Sequence, residues 1–326
     1  MTTEILVGDV RQRLRDIPDE SVHCAVTSPP YFGLRDYGCA GQIGLEPTPD
    51  EYVAELVAVF REVRRVLRAD GTLWLNLGDS YAANRGYQVP STKGGAKHGP
   101  AQGVKGRGSA VPDGLKAKDR LMIPARVALA LQADGWWLRD EIIWHKPNPM
   151  PVSVTDRTTP AHEMLYMFSK SARYHYDMEA VKEPALHAGK TITLGEKSFA
   201  RGQADGAGVA RTGNALADTY LVKATRQPRS VWSITPKPFK GAHFATFPPD
   251  LVRPCILAGC PEGGTVLDPF FGAGTTGLVA AELGRSCIGV ELNPEYAAIA
   301  RDRLNPCEGA KLPRELMLNL QLLAAF

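Results

Sequence analysis

No close pair of cysteines of the kind that holds zinc occurs in this chain. The six present, Cys24, Cys39, Cys255, Cys260, Cys287 and Cys307, are scattered along 326 residues. That spacing excludes zinc-ribbon and disulfide-scaffold classes and fits a reducing interior. No metal-ligand set is read. Net charge is equally scarce: 38 Lys and Arg stand against 35 Asp and Glu, leaving +3. Attraction to a polyanion must therefore come from a local surface rather than from the molecule as a whole. No uninterrupted apolar run reaches the roughly 18 residues of a membrane span. The first residues carry no apolar signal core. The expectation is a cytoplasmic protein with no membrane partner.

What the chain does have is alternation. Strand-like and helix-like stretches follow one another through most of its length, the pattern of a largely parallel sheet with helices on both faces. Ile5 to Val7 and Val22 to Thr27 read as the first strands. Thr48-Pro49-Asp50-Glu51 has the cap, first-turn proline and third-position glutamate of a capping box. Behind it Val53, Leu56, Val57, Phe60, Val63 and Leu67 recur at helical spacing, with Gly71 as the expected stop. Thr72 to Leu77 reads as a strand, Pro124 to Ala133 as a helix and Leu138 to Trp144 as a strand. Glu163 to Phe168 is expected to run antiparallel to its predecessor, because no helical crossover separates them. The alternation resumes near the end: helix Asp250 to Ala258, strand Thr265 to Asp268, helix Thr275 to Leu283, strand Ser286 to Glu291 and helix Pro294 to Leu304.

Two stretches break that rhythm. From Asn84 to Arg120 there are eight Lys or Arg against two Asp, with eight glycines. From Met178 to Ser230 the pattern is again irregular and rich in Gly, Ala, Thr, Lys and Arg. Solvated loop is the plain reading of either one. Two basic inserts in a regular frame favour nucleic acid, since phosphate neutralisation needs reachable Lys and Arg. Lys93, Lys97, Lys105, Arg107, Lys116 and Lys118 are the expected DNA contacts.

Two short motifs carry the chemistry. Val22 to Thr27 is halted by Ser28-Pro29-Pro30-Tyr31. Each proline fixes its own φ and pushes the preceding residue toward extended conformations, which makes a rigid spur bearing a hydroxyl, carbonyls and an aromatic ring. Far along the chain, Val266 to Gly277 (VLDPFFGAGTTG) is a strand running into a glycine turn and then a helix. Such a turn lets backbone approach a ligand and offers free N–H groups to an anionic moiety. Its G-x-G-x-x-G spacing also fits a dinucleotide site, and as a bare pattern it is weak. Glu291 ends the next strand, where a carboxylate accepts both ribose hydroxyls of an adenosine-containing cofactor. Asp268 before the turn is an odd place for a charge unless it faces a cation such as the ammonium of S-adenosylmethionine.

TSPPY at Thr27 to Tyr31, together with DPFFGAGTTG at Asp268 to Gly277, resembles the amino-methylating DNA methyltransferases, in the class whose catalytic motif precedes its cofactor motif. Gly135 to Pro151, Arg157 to Asp177, His243 to Leu251 and Arg285 to Tyr296 are similar to further segments of that family, in its order. The resemblance implies an S-adenosylmethionine-dependent, Rossmann-like α/β fold. Its sheet would have seven strands, mostly parallel with one antiparallel, between helices. It implies that Ser28, Pro29, Pro30 and Tyr31 form the amine-binding catalytic loop. It assigns Asp268, Gly272, Gly274, Thr275 and Thr276 to the methionine part of the cofactor, Glu291 to the ribose and Asp9 to the adenine, with Phe270 also at the cofactor site. Asp9 reads equally as the cap of the short helix after it.

By domains, 1–177 and 231–306 would be catalytic, with the basic insertion at 84–120. Residues 178–230 fall where the family keeps its target-recognition region, and 307–326 form an apolar tail that packs on the domain or contacts a second copy of the chain. Double-stranded DNA is the expected partner, with a homodimer and a cognate restriction endonuclease as further partners the sequence leaves open. Family members with Ser at the first motif position mostly methylate cytosine N4, so Ser28 favours that base, with adenine N6 as the alternative.

The chemistry explains why these residue types belong there. An exocyclic amine is a poor nucleophile because its lone pair is delocalised into the ring. A hydroxyl and a carbonyl held still by prolines accept its two N–H bonds and turn the lone pair toward a methyl sulfonium. Tyr31 is expected to offer a face for a base that has left the duplex. Cytosine C5 methylation needs a cysteine nucleophile, and the Pro-Cys pairs ending at Cys255 and Cys307 do not end strands. A nicotinamide or flavin oxidoreductase would use the glycine turn but leaves the proline spur unexplained. A non-enzymatic DNA binder leaves the cofactor turn unexplained, and RNA or protein glutamine as substrate fits the two DNA-sized basic inserts less well. Glu163, His145, His162 and His243 are read as structural or DNA-positioning, and Trp74, Trp136, Trp137 and Trp144 as core or strand-face packing.

Overall fold

The computed structural model describes residues 1–82, 111, 114–194, 209–211, 218–236 and 247–304. In chain order the first half comprises β1 (Thr3–Val7), α1 (Val10–Arg13), β2 (Val22–Thr27), α2 (Pro49–Val66), β3 (Leu67–Leu77), α3 (Ile123–Ala133), β4 (Trp137–His145) and β5 (His162–Ser169). Five short strands follow: β6 (Glu183–Pro184), β7 (Thr191–Leu194), β8 (Val209–Arg211), β9 (Asp218–Val222) and β10 (Thr225–Arg226). The chain closes with β11 (Val231–Ser233), α4 (Pro249–Gly259), β12 (Thr265–Asp268), α5 (Thr275–Glu282), β13 (Ser286–Glu291) and α6 (Pro294–Leu304).

One sheet of eight strands in the order β1-β13-β12-β2-β3-β5-β4-β11 organises the molecule. β5 runs antiparallel to both β3 and β4, as the missing crossover requires, and the other pairings are parallel. The eighth strand departs from the expected seven: β11 adds three residues parallel to β4, with Trp232 opposite Trp144. A run that short shows no periodicity in sequence. The stretch from Met178 to Ser230 is also more ordered than expected. It holds a β10–β6 pair and a β7-β9-β8 sheet, both antiparallel and separate from the large sheet.

α2 shows how sequence builds a layer. The Thr48 hydroxyl accepts from the Glu51 amide while the Glu51 carboxylate accepts from the Thr48 amide, so the capping box is complete. Tyr52, Leu56, Phe60 and Val63 then fall on one face, fully buried against Leu73, Leu75 and Leu77 of β3. Each such side chain contributes about 1.5–3 kcal/mol. The expected stop at Gly71 is wrong. The helix ends at Val66, and Leu67 turns extended with φ −67° and ψ 139°. Leu67 is fully buried and pairs with Val22, so sheet pairing takes over before the glycine is reached.

The opposite face of the sheet carries α4, α5 and α6. Cys24, Val26 and Trp74 point there and pack with Val252, Ile256 and Val279, while Ala25 and Leu73 point to the α2 side. Alternate residues of one strand thus serve two cores, which is why these strands read as continuous apolar runs. Cys255 is fully buried in α4, its thiol donating to the Leu251 carbonyl at 3.1 Å. No helix among the described residues is long and apolar enough to cross a membrane. Residues 307–326 lie outside the described residues.

Candidate active site

β2 and β12 lie side by side, with Cys24 opposite Val266 and Ala25 opposite Leu267. From β2 the chain moves through α2 to β3 on one side, and from β12 through α5 to β13 on the other. Ligands of doubly wound sheets sit beyond the carboxyl ends of the strands where the winding reverses in this way. Those ends carry the two sequence motifs. A cavity of about 760 Å³ opens there, lined by Ser28 on one side and Gly272 on the other. That volume suits a small-molecule ligand, for which about 300–1,000 Å³ is usual.

Asp268 joins the two walls. Thr27 Oγ1 donates to its Oδ1 at 2.6 Å, the Phe270 amide to the same oxygen at 3.1 Å and Thr276 Oγ1 to Oδ2 at 2.7 Å. The residue before Ser28 is therefore tied to the strand end before the glycine turn. Asp268 is 1% exposed, and burial pushes its carboxyl up to about 6 against the lowering effect of those hydrogen bonds.

On the wall formed by the glycine turn, Gly272 and Gly274 take φ of 53° and 76°, values that favour glycine, and α5 starts at Thr275 with no side-chain cap. Its first amides are thus available to an anion. Glu291 accepts from the Gly272 amide at 2.7 Å through Oε2 and from the Asn293 amide at 2.8 Å through Oε1. Each oxygen keeps acceptor capacity for a diol. Burial raises the Glu291 carboxyl above the usual carboxylate range. Asp9 is a helix cap that also faces the cavity. It caps α1 by accepting from the Arg11 amide at 2.9 Å, it pairs with the Arg11 guanidinium at 2.6 Å, and it lines the cavity. The Arg11 hydrogen bond holds its carboxyl below the ordinary value. Tyr37, from the loop after β2, meets Tyr296 of α6 edge to face at 6.3 Å, and both reach the cavity.

On the other wall, buried Tyr52 of α2 donates to the Pro30 carbonyl at 2.8 Å and fixes the proline spur. Tyr31 donates its single phenolic proton to Glu163 Oε2 at 2.6 Å, with Asn76 Oδ1 at 3.0 Å. Ser28 Oγ lies 3.3 Å from both Tyr31 Oη and Asn76 Oδ1. Asn76 is itself held, donating from Nδ2 to the Met164 carbonyl at 3.1 Å. Lys146 pairs with the second Glu163 oxygen, and its ammonium lies 4.4 Å from the centre of the Trp144 ring. Burial, and next the Glu163 carboxylate, hold the Tyr31 phenol well above its ordinary value, so it stays a donor. The Tyr31 ring rests on Gly78, where a Cβ would come within 2.4 Å of Cε2.

All four residues of the Ser28 to Tyr31 loop reach the cavity, as do Asp9, Phe270, Gly272, Thr275 and Glu291. Asp268, Gly274 and Thr276 stand behind its wall instead. Asp268 and Thr276 spend their polar atoms on each other and on Thr27, and the missing Cβ of Gly274 points at Ala300 of α6. The expected ammonium partner thus has hydroxyl partners. Lys93, Lys97, Lys105, Arg107 and His243 lie outside the described residues. Lys116 and Lys118 are exposed and pair with Asp119 and Asp156. Sequence reading missed Asn76 and Lys146 and gave Glu163 no chemistry. Only the pairing of β3, β5 and β4 brings these three to Ser28. Of the tryptophans, Trp74, Trp136 and Trp144 are buried, whereas Trp137 is 43% exposed at the start of β4.

A nucleotide-type carboxylate and glycine turn facing a hydroxyl-bearing proline spur across one cavity, on this sheet, define an α/β methyltransferase. The chain belongs to the N6/N4 DNA methylase family, whose model, described as DNA methylase, matches residues 22–302. The type II methyltransferase M.XycI of Xanthomonas campestris pv. cyanopsidis is 49% identical over 298 residues, covering 91% of this chain and 86% of that one. M.SmaI of Serratia marcescens, also a type II methyltransferase, is 45% identical over 301 residues, covering 92% and 90%. Among solved structures, the PvuII DNA methyltransferase, described as cytosine-N4-specific, shares the fold with a TM-score of 0.62 at 20% identity, covering 98% of this chain and 91% of that one. TTHA0409 of Thermus thermophilus, complexed with S-adenosyl-L-methionine, has a TM-score of 0.57 at 24% identity, covering 93% of each chain.

Proposed function

We propose that this DNA methyltransferase transfers a methyl group to the N4 amine of a cytosine flipped out of double-stranded DNA. The observation that carries the reading is Ser28 Oγ in one cavity with Glu291 and the Gly272 turn. The cavity fits S-adenosylmethionine on its own chemistry. Glu291 has acceptor capacity left for ribose hydroxyls, the uncapped start of α5 suits a carboxylate, and Asp9 and Tyr37, which line the same cavity, would hold the purine. When bound, S-adenosylmethionine supplies an electrophilic methyl group.

The chain's own residues do the rest by position. Asn76 and Tyr31 take up the Ser28 hydroxyl proton, so the Ser28 lone pairs face the incoming amine. With the Pro29 carbonyl they accept both N–H bonds and draw the nitrogen toward tetrahedral geometry. As the N–CH3 bond forms the methyl–sulfur bond would break, leaving a neutral thioether, so the positive charge passes to the amine, which must lose a proton. Ser28 accepts that proton while passing its own to Tyr31 Oη, and Tyr31 passes its own to Glu163, across 3.3 Å and 2.6 Å. Lys146 balances Glu163 while it is ionised. No covalent enzyme intermediate forms.

Residues 178–230 are assigned to target recognition and the segment 84–120 to the DNA backbone. A restriction endonuclease of the same specificity is the natural companion in the cytoplasm. The test is nucleoside mass spectrometry of plasmid DNA treated with the chain and labelled S-adenosylmethionine, followed by long-read sequencing to locate the site. N4-methylcytosine is expected. N6-methyladenine would overturn the choice of base, and unlabelled DNA the whole reading.

A further inference from the structure

The chain between β4 and β5, Lys146 to Ala161, projects from the rim of the cavity. Its two ends are clasped where the Lys146 amide donates to the Ala161 carbonyl at 2.8 Å. Its near arm reads Lys-Pro-Asn-Pro-Met-Pro, and three prolines in five residues, Pro147, Pro149 and Pro151, stiffen it. Its far arm is pinned: Asp156 pairs with Lys118 at 2.6 Å, and the Arg157 guanidinium sits 4.0 Å over the Tyr81 ring. Between these anchors the loop shows water an apolar edge. Met150, Val152 and Val154 are 87%, 37% and 43% exposed. Single exposed apolar residues are ordinary, but three in one braced loop are not. Asn148, Pro149, Met150 and Pro151 also line the cavity mouth, so this edge is continuous with the space that must admit the target base.

We propose that Met150 is the wedge that enters the base stack as the target nucleotide leaves it, an assignment that rests on the base-flipping reading above. A base that swings out leaves an apolar gap between its neighbours, and unstacking costs a few kcal/mol. An unbranched, polarizable side chain on a rigid support fills such a gap without a matching shape. The proline-stiffened arm delivers it at little entropic cost, because the loop is already fixed. Lys146, at the root of the same arm, is bound to Glu163 inside the cavity, so the arm that carries Met150 is tied at its base to the Ser28 network.

The experiment compares single-turnover methylation by the full chain, wild type and Met150→Gly, on two duplexes carrying the sequence found methylated by long-read sequencing. One is fully paired; in the other the nucleotide opposite the target is abasic, so that the target is already unpaired. Met150→Gly is expected to slow the paired duplex at least 10-fold and the abasic one less than threefold. Met150→Leu is expected to recover most of the rate on the paired duplex, and S-adenosylmethionine affinity to stay within twofold for both variants. Equal slowing on the two duplexes, or no slowing on either, overturns the wedge. Wild-type chain that leaves both duplexes unlabelled overturns the methylation reading instead, and the wedge with it.

Discussion

Replacing Gly78 with alanine tests the wall that carries Ser28 and Tyr31 without removing any polar group from it. The added Cβ would lie 2.4 Å from Tyr31 Cε2 and 2.8 Å from Cδ2, where ordinary contact begins at 3.4 Å. The ring must therefore retreat by about 1 Å. It cannot swing freely, because its hydroxyl is fastened to Glu163 at 2.6 Å and the chain just before it is fastened through Pro30 to Tyr52. A retreat along the Glu163 bond would take it to about 3.6 Å, beyond hydrogen-bond range. Overpacking costs about 1–3 kcal/mol, and a lost bond to a charged group about 1.5–3 kcal/mol. Displacement of about 1 Å in a positioning group costs roughly 100-fold in rate. Gly78→Ala is thus expected to lower single-turnover methyl transfer about 100-fold. Melting temperature falls, and S-adenosylmethionine binding by calorimetry is unchanged, since Gly78 lies on the far wall from Glu291. A rate within threefold of wild type would refute the claim that Tyr31 must sit where it does. Equal loss of cofactor binding would refute the separation of the two walls.

Ser28→Ala should keep cofactor affinity and lose most methyl transfer; unchanged turnover would remove Ser28 from the mechanism. Glu291→Ala should weaken S-adenosylmethionine binding at least 10-fold, about 1.4 kcal/mol, and titration calorimetry with an unaltered Kd would disprove its ribose role. Asp268 makes a pH prediction. Its carboxyl is raised from 3.8 to about 6 on folding, so between those values the folded state holds more protons than the unfolded one. Its contribution to stability is then fully present below about pH 4 and falls by roughly 3 kcal/mol as pH rises through 6. Asp268→Asn should remove that slope in urea unfolding measured from pH 4 to 7, and a variant with the wild-type slope would contradict it. Deleting Gly94 to Gly108 should weaken DNA binding with a smaller salt slope and intact cofactor affinity; an unaltered slope would mean that the segment does not neutralise phosphate.

The parts of this structure that could be read from sequence are those whose causes are local. The capping box at Thr48 announced α2, the prolines after Thr27 announced a rigid strand end, and the missing crossover before Glu163 announced the antiparallel β5. Where tertiary pairing competes with a local signal, the signal lost. Gly71 reads as a helix stop, yet Leu67 leaves the helix earlier because it is fully buried and paired with Val22. The same limit governs the site. Ser28 follows the end of β2 and Glu291 ends β13, each beside a recognisable turn, but Asn76 of β3, Glu163 of β5 and Lys146 just past the end of β4 meet only through the β3-β5-β4 pairing. Asp268 was visible as an odd charge, and its partners were not, because Thr27 lies 241 residues away in sequence.

A crystal structure of the chain with S-adenosylmethionine would show whether the Ser28 hydroxyl and the Gly272 turn face each other across one methyl-transfer pocket. The ribose hydroxyls are expected on Glu291, with the sulfonium methyl pointing across the cavity toward Ser28 Oγ. A cofactor bound elsewhere, or bound on Glu291 with its methyl turned away from Ser28, would contradict this arrangement.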